Sequence, residues 1–340
     1  MAADMALELA PFTPLDGPPR SLLPKRSATL GTTTIRASLV CPRSWSSAMD
    51  LFPGHFASWT RARLEFAIRR RVQTAYLGGG IVLARVLGRH KIFLRGDDRG
   101  FACHLMLDGY WEMWLTHFLG RYVRPGMHVV DVGANFGYYT LLFADAVGPN
   151  GRVTAVEPNP ETAKLLRETI QLNGFSARTR IVEMALSDSA KVAWLFSPDH
   201  EPKNSGFVNG PGLVGGQTFE IAAVALDDLA LPGPPVDLVK IDAEGAEVAI
   251  VQGMKGLIER DRPAIVLEFN ATRYSNAEDF LDGLLAQYTM ARQLRLDGTI
   301  SALDKNEVLD ASDVEDRILL FGPEPMTRSA RFLPELTSSR

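Results

Sequence analysis

The sequence predicts an α/β protein: a mostly parallel, doubly wound sheet with an antiparallel edge, preceded by a helical or irregular N-terminal extension. Three observations carry this. From Gly126 onward, short apolar runs alternate with stretches of helical periodicity. The run Val129-Val130-Asp131-Val132-Gly133-Ala134-Asn135-Phe136-Gly137 reads as a buried strand passing through a glycine-spaced turn into a helix. The next apolar run, from Arg152 to Val156, ends on a carboxylate, Glu157. Strands alternating with helices imply β-α-β units with helices on both sheet faces. A glycine turn followed by an acidic strand end is how an open α/β sheet holds a nucleoside.

The elements follow in order. Residues 1–50 are rich in Pro, Ser, Thr and Ala, and Pro11, Pro14, Pro18, Pro19 and Pro24 break helical continuity, so a disordered tail is expected. Residues 51–108 are expected to hold a helix over about 56–77 and short strands at Lys91–Leu94 and Phe101–Leu107. The helix carries Arg61, Arg63, Arg69, Arg70 and Arg71, which read first as a solvated face and second as an anion patch. An aromatic helix from Tyr110 to Phe118 follows; its Tyr110, Trp111, Trp114 and Phe118 read as core or as a pocket wall. The main domain is expected over 109–325, with a C-terminal tail at 326–340. Its strands are predicted at 127–132, 152–156, 179–184, 235–241 and 263–269. Its helices are predicted at 137–146, 160–172, 245–259 and 276–287. Strand-like runs at 190–196 and 218–226 bracket a glycine-rich loop at 197–217, and 315–321 is expected to add an antiparallel edge.

Composition narrows the classes. With 340 residues and 46% hydrophobic content, the chain can build a full core without staples. A net charge of −4 argues against a chain-wide grip on nucleic acid or anionic lipid. Cys41 and Cys103 have no metal-ligand spacing, which fits a reducing compartment. No apolar run approaches the roughly 20 residues of a membrane helix. Asp4 and Glu8 stand where a secretion signal would be basic and apolar. A cytoplasmic protein is expected, and the sequence says nothing about oligomeric state.

The nucleoside can be narrowed from the turn. A dinucleotide fingerprint wants glycine at 133, 135 and 138, but Asn135 and Tyr138 stand there. That disfavours a nicotinamide oxidoreductase. Asp131, two residues before Gly133, suits S-adenosylmethionine, whose amino group is a cation and which has no pyrophosphate to cradle. Glu157 is then expected to accept the ribose hydroxyls, with Asn159 helping to position ribose or adenine and Met184 or Ala185 facing the adenine.

With these residues in view, the chain from about Gly109 to Phe321 resembles the FkbM family of S-adenosylmethionine-dependent methyltransferases. The elements are Gly109-Tyr110-Trp111-Glu112, Val130–Gly137, Val156-Glu157-Pro158-Asn159, Ala185-Leu186-Ser187-Asp188, Leu226-Asp227-Asp228-Leu229, Val239–Glu247 and Gly253. The run Lys240 to Glu247 is the most specific; Trp111 before Glu112 departs mildly from the usual Tyr-Glu. The resemblance implies a Rossmann-like class I methyltransferase fold and, most often, O-methylation of a hydroxyl on a sugar or natural product. It also implies that Glu112 reaches the cofactor's amino group. The cofactor residues expected are thus Glu112, Asp131, Gly133, Asn135, Gly137, Glu157, Asn159, Ala185 and Asp242.

Methyl transfer to an aliphatic oxygen needs alignment and a base. Asp242 and Glu244 follow the fourth strand and so face the reaction zone; Asp242 is the first candidate, Glu244 the second. Glu268, near the end of the fifth strand, is a further acceptor or base for a substrate hydroxyl. Glu247 reads also as a helix first-turn charge, and Lys240 as the partner of a carboxylate in the sheet. Asp242, Glu268 and Asn270 offer oxygens suited to Mg²⁺ or Ca²⁺, but no metal is assigned. His200 in the loop reads as a bystander before a base. The expected partner is a small-molecule or glycan hydroxyl acceptor. The alternative is a nucleic-acid methyltransferase, or a non-catalytic cofactor-binding module, using the arginine-rich helix.

Overall fold

The computed structural model describes residues 51–323 apart from 311, 313 and 314. They belong to one of the two units into which the chain divides, Met49–Arg340. The predicted tails at 1–50 and 326–340 lie outside the described residues.

Before the main sheet, the chain departs from the sequence reading. The single helix expected over 56–77 is two short ones, α1 (Pro53–Ser58) and α2 (Arg61–Arg69). Trp59 is extended, and the Thr60 side chain accepts from the Arg63 amide to cap a fresh start. A three-stranded antiparallel sheet follows, of β1 (Thr74–Gly78), β2 (Ile81–Val86) and β3 (His90–Arg95). The strand expected at Phe101–Leu107 is instead helix α3 (Ala102–Asp108). Asp98 Oδ1 accepts from the Gly100 and Phe101 amides at the entry, and Gly109 closes the exit in the left-handed region. Ala102 and Leu105, three apart, are the buried pair while Leu107 is 76% exposed, so burial follows a helical period rather than alternation. Helix α4 (Met113–Tyr122) is next.

Most arginines between 61 and 71 are engaged locally. Arg61 Nη1 donates to the Leu296 carbonyl at 2.7 Å, Arg69 pairs with Asp108 at 2.9 Å, and Arg71 donates to the Ala67 carbonyl at 2.7 Å. Arg63 lies 3.9 Å over the Trp59 ring.

The main sheet begins with β4 (His128–Val132), α5 (Tyr138–Ala146), β5 (Arg152–Val156), α6 (Pro160–Leu172) and β6 (Thr179–Val182). A second, four-stranded sheet interrupts it, made of β7 (Ala185–Leu186), β8 (Lys191–Pro198), β9 (Gly206–Val208) and β10 (Gly216–Val224). The main sheet resumes with β11 (Leu238–Ile241), α7 (Glu247–Gln252), α8 (Lys255–Asp261), β12 (Ala264–Phe269) and α9 (Ala277–Gln287). It closes with β13 (Ala291–Leu294), β14 (Ile300–Ala302), α10 (Lys305–Leu309) and β15 (Arg317–Phe321). The order across its eight strands is β14-β13-β15-β12-β11-β4-β5-β6. The five strands from β12 to β6 are parallel, and β15, β13 and β14 form the antiparallel edge. The topology is therefore that of a class I, Rossmann-like α/β fold.

Strands β4 and β11 are buried at every position, as expected where helices cover both faces. Winding runs outward from β4 to β6 in one direction and from β11 to β12 in the other. The switch point thus falls between β4 and β11, where ligands of open α/β sheets bind. The helix expected over 245–259 is divided at Gly253 and Met254. A Cβ on Gly253 would lie 2.0 Å from the Ser187 carbonyl oxygen, so the close approach of the 187 turn requires glycine there.

Candidate active site

A cleft opens beyond the carboxyl ends of β4, β5, β11 and β12. Of the residues singled out from sequence, Glu112, Gly133, Asn135, Glu157, Ala185, Asp242, Glu244 and Glu268 line it. Asp131, Gly137 and Asn159 do not; they sit beneath or behind those that do.

The glycine turn is built by backbone contact. Gly133 has φ +74°, and a Cβ there would fall 1.7 Å from the Asp242 carbonyl oxygen. The glycine is thus demanded by the neighbouring chain at the switch point, in addition to anything a ligand requires. Gly137 starts α5 at φ +98°, and its missing Cβ makes room for Leu166 of α6. Asn135 occupies the left-handed region at φ 51°, its side-chain oxygen accepting from the Phe136 amide at 2.8 Å.

Glu157 is buried and aimed by two main-chain donors. Its Oε2 accepts from the Asn135 amide at 2.8 Å and its Oε1 from the Asn159 amide at 2.9 Å. Burial pushes its carboxyl up to about 7, against those two amides. Each oxygen keeps a further lone pair for a ligand hydroxyl. The Asn159 side chain caps α6 by accepting from the Glu161 and Thr162 amides and donates to Ser197 Oγ at 3.1 Å. Its contribution is to hold the Glu157 turn. Ala185 and Leu186 line the cleft, whereas Met184 does not.

Glu112 faces the cleft from the start of α4, in the left-handed region at φ 35°. Tyr139 Oη donates to its Oε2 at 2.9 Å. Burial, followed by the nearby Asp242 charge, raises the Glu112 carboxyl to about 7. The Tyr139 ring in turn lies 4.9 Å below Lys240 Nζ.

Lys240 is 2% exposed and is the cation beneath the site. Its Nζ stands 3.1 Å from Asp242 Oδ2 and 3.8 Å from Asp131 Oδ1. The carboxylate pairing expected of it in the sheet is thus present. Asp131 is fully buried; its Oδ2 accepts from Thr140 Oγ1 at 2.6 Å and its Oδ1 has no hydrogen-bond donor. Asp131 is thus paired with Lys240 beneath the cleft.

Also lining the cleft, Asp242, Glu244 and Glu268 bring carboxylate oxygens within 4.8 Å of one another. Burial raises the Asp242 carboxyl, but Lys240 outweighs it by charge and hydrogen bond, and the net shift is downward. Glu268 is pushed up to about 10 by burial and then by Asp242 and Asp316. Glu244 is pushed up to about 7 by burial and Asp242, with Arg273 opposing. Asp242 is therefore the ionised member and Glu268 the protonated one. Glu244 also occupies the left-handed region, at φ 49°. Asn270 does not join this set: its Oδ1 caps the turn Ala271–Arg273, and its Nδ2 donates to Asp316 Oδ1 at 3.0 Å. Glu247 is buried below, accepting from the Ala243 and Gly245 amides and from Tyr274 Oη at 2.7 Å, and so latches the 242–247 turn.

The loop expected over 197–217 is more ordered than its glycines imply, with β9 and a short 3-10 turn at Pro202–Asn204. Lys203, Gly206 and Phe207 cover the cleft. His200 points to the 97–99 segment, with Nδ1 3.2 Å from the Asp97 carbonyl, and does not line the cleft. Of the four aromatics at 110–118, only Trp111 lines it; Tyr110, Trp114 and Phe118 pack against the core.

Sequence reasoning missed Tyr139, Arg273 and Asp316. Tyr139 had a local signal, being the second residue of a helix that opens on the glycine turn. Arg273 and Asp316 had none.

Residues 131–289 match the model of the methyltransferase FkbM domain. The chain is 34% identical over 134 residues to a protein-L-isoaspartate O-methyltransferase of Aeropyrum pernix, covering 39% of this chain and 42% of that protein. It is 34% identical over 85 residues to the protein of that name from Triticum aestivum, covering 25% and 36%. The chain thus spans less than half the length of these curated relatives. Among solved structures, a methyltransferase FkbM from Methylobacillus flagellatus aligns at 17% identity and a TM-score of 0.37, covering 58% of this chain and 43% of that one. Residues 131–289, a little under half of the chain, are thus similar to a methyltransferase FkbM domain, a kind of domain whose cofactor is S-adenosylmethionine.

The residues present fit that cofactor. Glu157, with spare lone pairs, is set to take a ribose diol. Glu112, Asp242, Glu244 and Glu268 surround the same cleft as Glu157, opposed by Lys203 and Lys240. That excess of acid suits a ligand carrying a sulfonium and an ammonium.

Proposed function

We propose that the protein transfers the methyl group of S-adenosylmethionine to a hydroxyl oxygen of a small molecule or glycan. The observation that carries this reading is the acid group in the cleft, where ionised Asp242 stands among Glu244 and protonated Glu268.

The bound cofactor supplies an activated methyl group on a sulfonium. Glu157 binds the ribose hydroxyls, and Glu112, steadied by Tyr139, takes the ammonium. Asp242 would accept a hydrogen bond from the acceptor hydroxyl and take its proton as the oxygen–carbon bond forms and the methyl–sulfur bond breaks, the electron pair staying on sulfur. Glu268, protonated, donates to a neighbouring oxygen, and Glu244 lies within reach as a second acceptor. Phe101, Trp111 and Phe207 exclude water from the line of transfer. Holding the two reactants in line is worth roughly 7–11 kcal/mol of the barrier.

The isoaspartate-directed names of the relatives offer a carboxylate as the acceptor instead. The acid group favours the hydroxyl reading, since an incoming carboxylate would meet ionised Asp242 and partly ionised Glu244. A nucleic-acid acceptor finds little support in α2, most of whose arginines are already paired within the protein.

The test is an assay with methyl-labelled S-adenosylmethionine against hydroxylated small molecules and glycans in one arm and an isoaspartyl peptide in the other, with mass analysis of the products. Label on a hydroxyl oxygen is expected. Label on the peptide carboxylate alone would overturn the reading.

A further inference from the structure

Arg273 follows β12 in the turn Ala271–Arg273, and its side chain is 24% exposed. One guanidinium serves three carboxylates from three segments. Nη2 lies 3.1 Å from Glu244 Oε2 and 3.0 Å from Asp316 Oδ2, and Nη1 lies 3.2 Å from Glu268 Oε2. Glu244 belongs to the turn after β11, Glu268 to β12, and Asp316 to the segment entering β15. Asp316 is itself braced by Asn270 Nδ2. A planar fork with five donors can hold such a set; a lysine cannot.

Two further facts require such a brace. Glu244 is held at φ 49°, a conformation that costs a non-glycine residue free energy and persists only where its surroundings impose it. Asp242, Glu244 and Glu268 crowd within 4.8 Å, and Lys240 offers its short contact to Asp242 alone of the three.

We propose that Arg273 is the positioning residue of the acceptor end: by holding Glu244, Glu268 and Asp316 on one guanidinium it keeps both glutamates turned toward Asp242, where the acceptor hydroxyl is seated. This rests on the methyl-transfer reading of the cleft. The groups around Glu244 are Asp242 and Lys240 of the β11 end, Glu268 and Arg273 of the β12 end, Asp316, and Lys203 of the covering turn. Of these cations Arg273 alone touches it. Without Arg273 the acids raise the proton affinity of Glu244 unopposed at short range, and the cleft gains a second neutral carboxyl group.

The experiment needs no knowledge of the acceptor. Infrared spectra of the full chain labelled with ¹³C-glutamate are recorded from pH 5 to 9. They are compared for the native protein, Arg273→Gln and Arg273→Lys, with Glu244→Gln and Glu268→Gln to assign the protonated-carboxyl bands. At pH 8 the native protein should show a band removed by Glu268→Gln and almost none from Glu244. Arg273→Gln should move the Glu244 titration upward by about one pH unit or more, adding a second band at pH 8. Arg273→Lys should fall between the two, because an ammonium keeps the charge and loses the fork. A Glu244 titration in Arg273→Gln equal to the native one overturns the proposal. If that variant does not fold, a native-like titration in Arg273→Lys overturns it instead. Calorimetry with S-adenosylhomocysteine separates the two levels. The native protein's failure to bind it would remove the methyl-transfer reading and leave the infrared result standing, while unchanged binding in the Arg273 variants places their effect at the acceptor end.

Discussion

Lys240 and Asp131 face each other across the β11–β4 register, and the ammonium reaches past the pairing to Asp242 at 3.1 Å. The pair lies under the switch point with Asp131 fully buried. The same cation that neutralises the sheet interior therefore also favours the charged form of Asp242.

Removing one partner of such a pair leaves a buried charge uncompensated. Lys240→Met should destabilise the fold by about 3–5 kcal/mol. The double variant Lys240→Met/Asp131→Asn should recover part of that loss. Urea unfolding of the three proteins checks this; equal loss in the single and double variants would remove the assigned coupling.

Glu157→Ala should weaken S-adenosylhomocysteine binding by roughly tenfold or more, the worth of a charged hydrogen-bond acceptor. Isothermal calorimetry reads it directly. An unchanged affinity would deny Glu157 the ribose.

Asp242→Asn should lower turnover on whichever acceptor the labelling assay identifies by about 10²–10⁴-fold, with cofactor affinity little changed. Steady-state kinetics beside calorimetry makes the distinction. Retained turnover would move the base to Glu244.

Glu268 gives a pH prediction with a definite sign. Its carboxyl is raised in the folded protein to about 10, so the folded state keeps a proton that the unfolded chain releases near the ordinary glutamate value. That contribution to stability is full below the unfolded value and is lost as pH rises toward about 10. Glu268→Gln, which mimics the neutral form, should gain stability relative to the native protein as pH goes from 5 to 9. Denaturant midpoints at pH 5, 7 and 9 test it; a constant difference would count against the assignment.

Gly133→Ala should destabilise by about 1–3 kcal/mol from its φ alone, and more from the added Cβ against the Asp242 carbonyl. Thermal unfolding of the variant is the measurement, and a native-like midpoint would contradict the close approach.

Much of the site is legible in the order of residues along the chain. Strands covered on both faces are continuous apolar runs, and Gly133, Glu157 and Asp242 follow directly on strands so marked. Helix α3 is not legible in the same way, since Phe101–Leu107 is apolar enough for either period and only the Asp98 and Gly109 caps decide. The single helix expected over 56–77 fails for the converse reason: its apolar spacing ignores the cap at Thr60. The turn chemistry places Gly133 correctly but supplies half its cause, as the atom that excludes a Cβ belongs to residue 242.

The sequence by itself determined the element order, the switch-point glycine turn and the acidic strand ends, because strand period, helix period and turn chemistry are local properties of neighbouring residues. The tertiary structure alone decided that Asp131 pairs with Lys240 and that Arg273 binds Glu244, Glu268 and Asp316. Those are pairings between side chains on separate strands and turns. No spacing along the chain encodes them, and only the register of the sheet brings the charges within a few ångströms, where burial makes their mutual compensation obligatory.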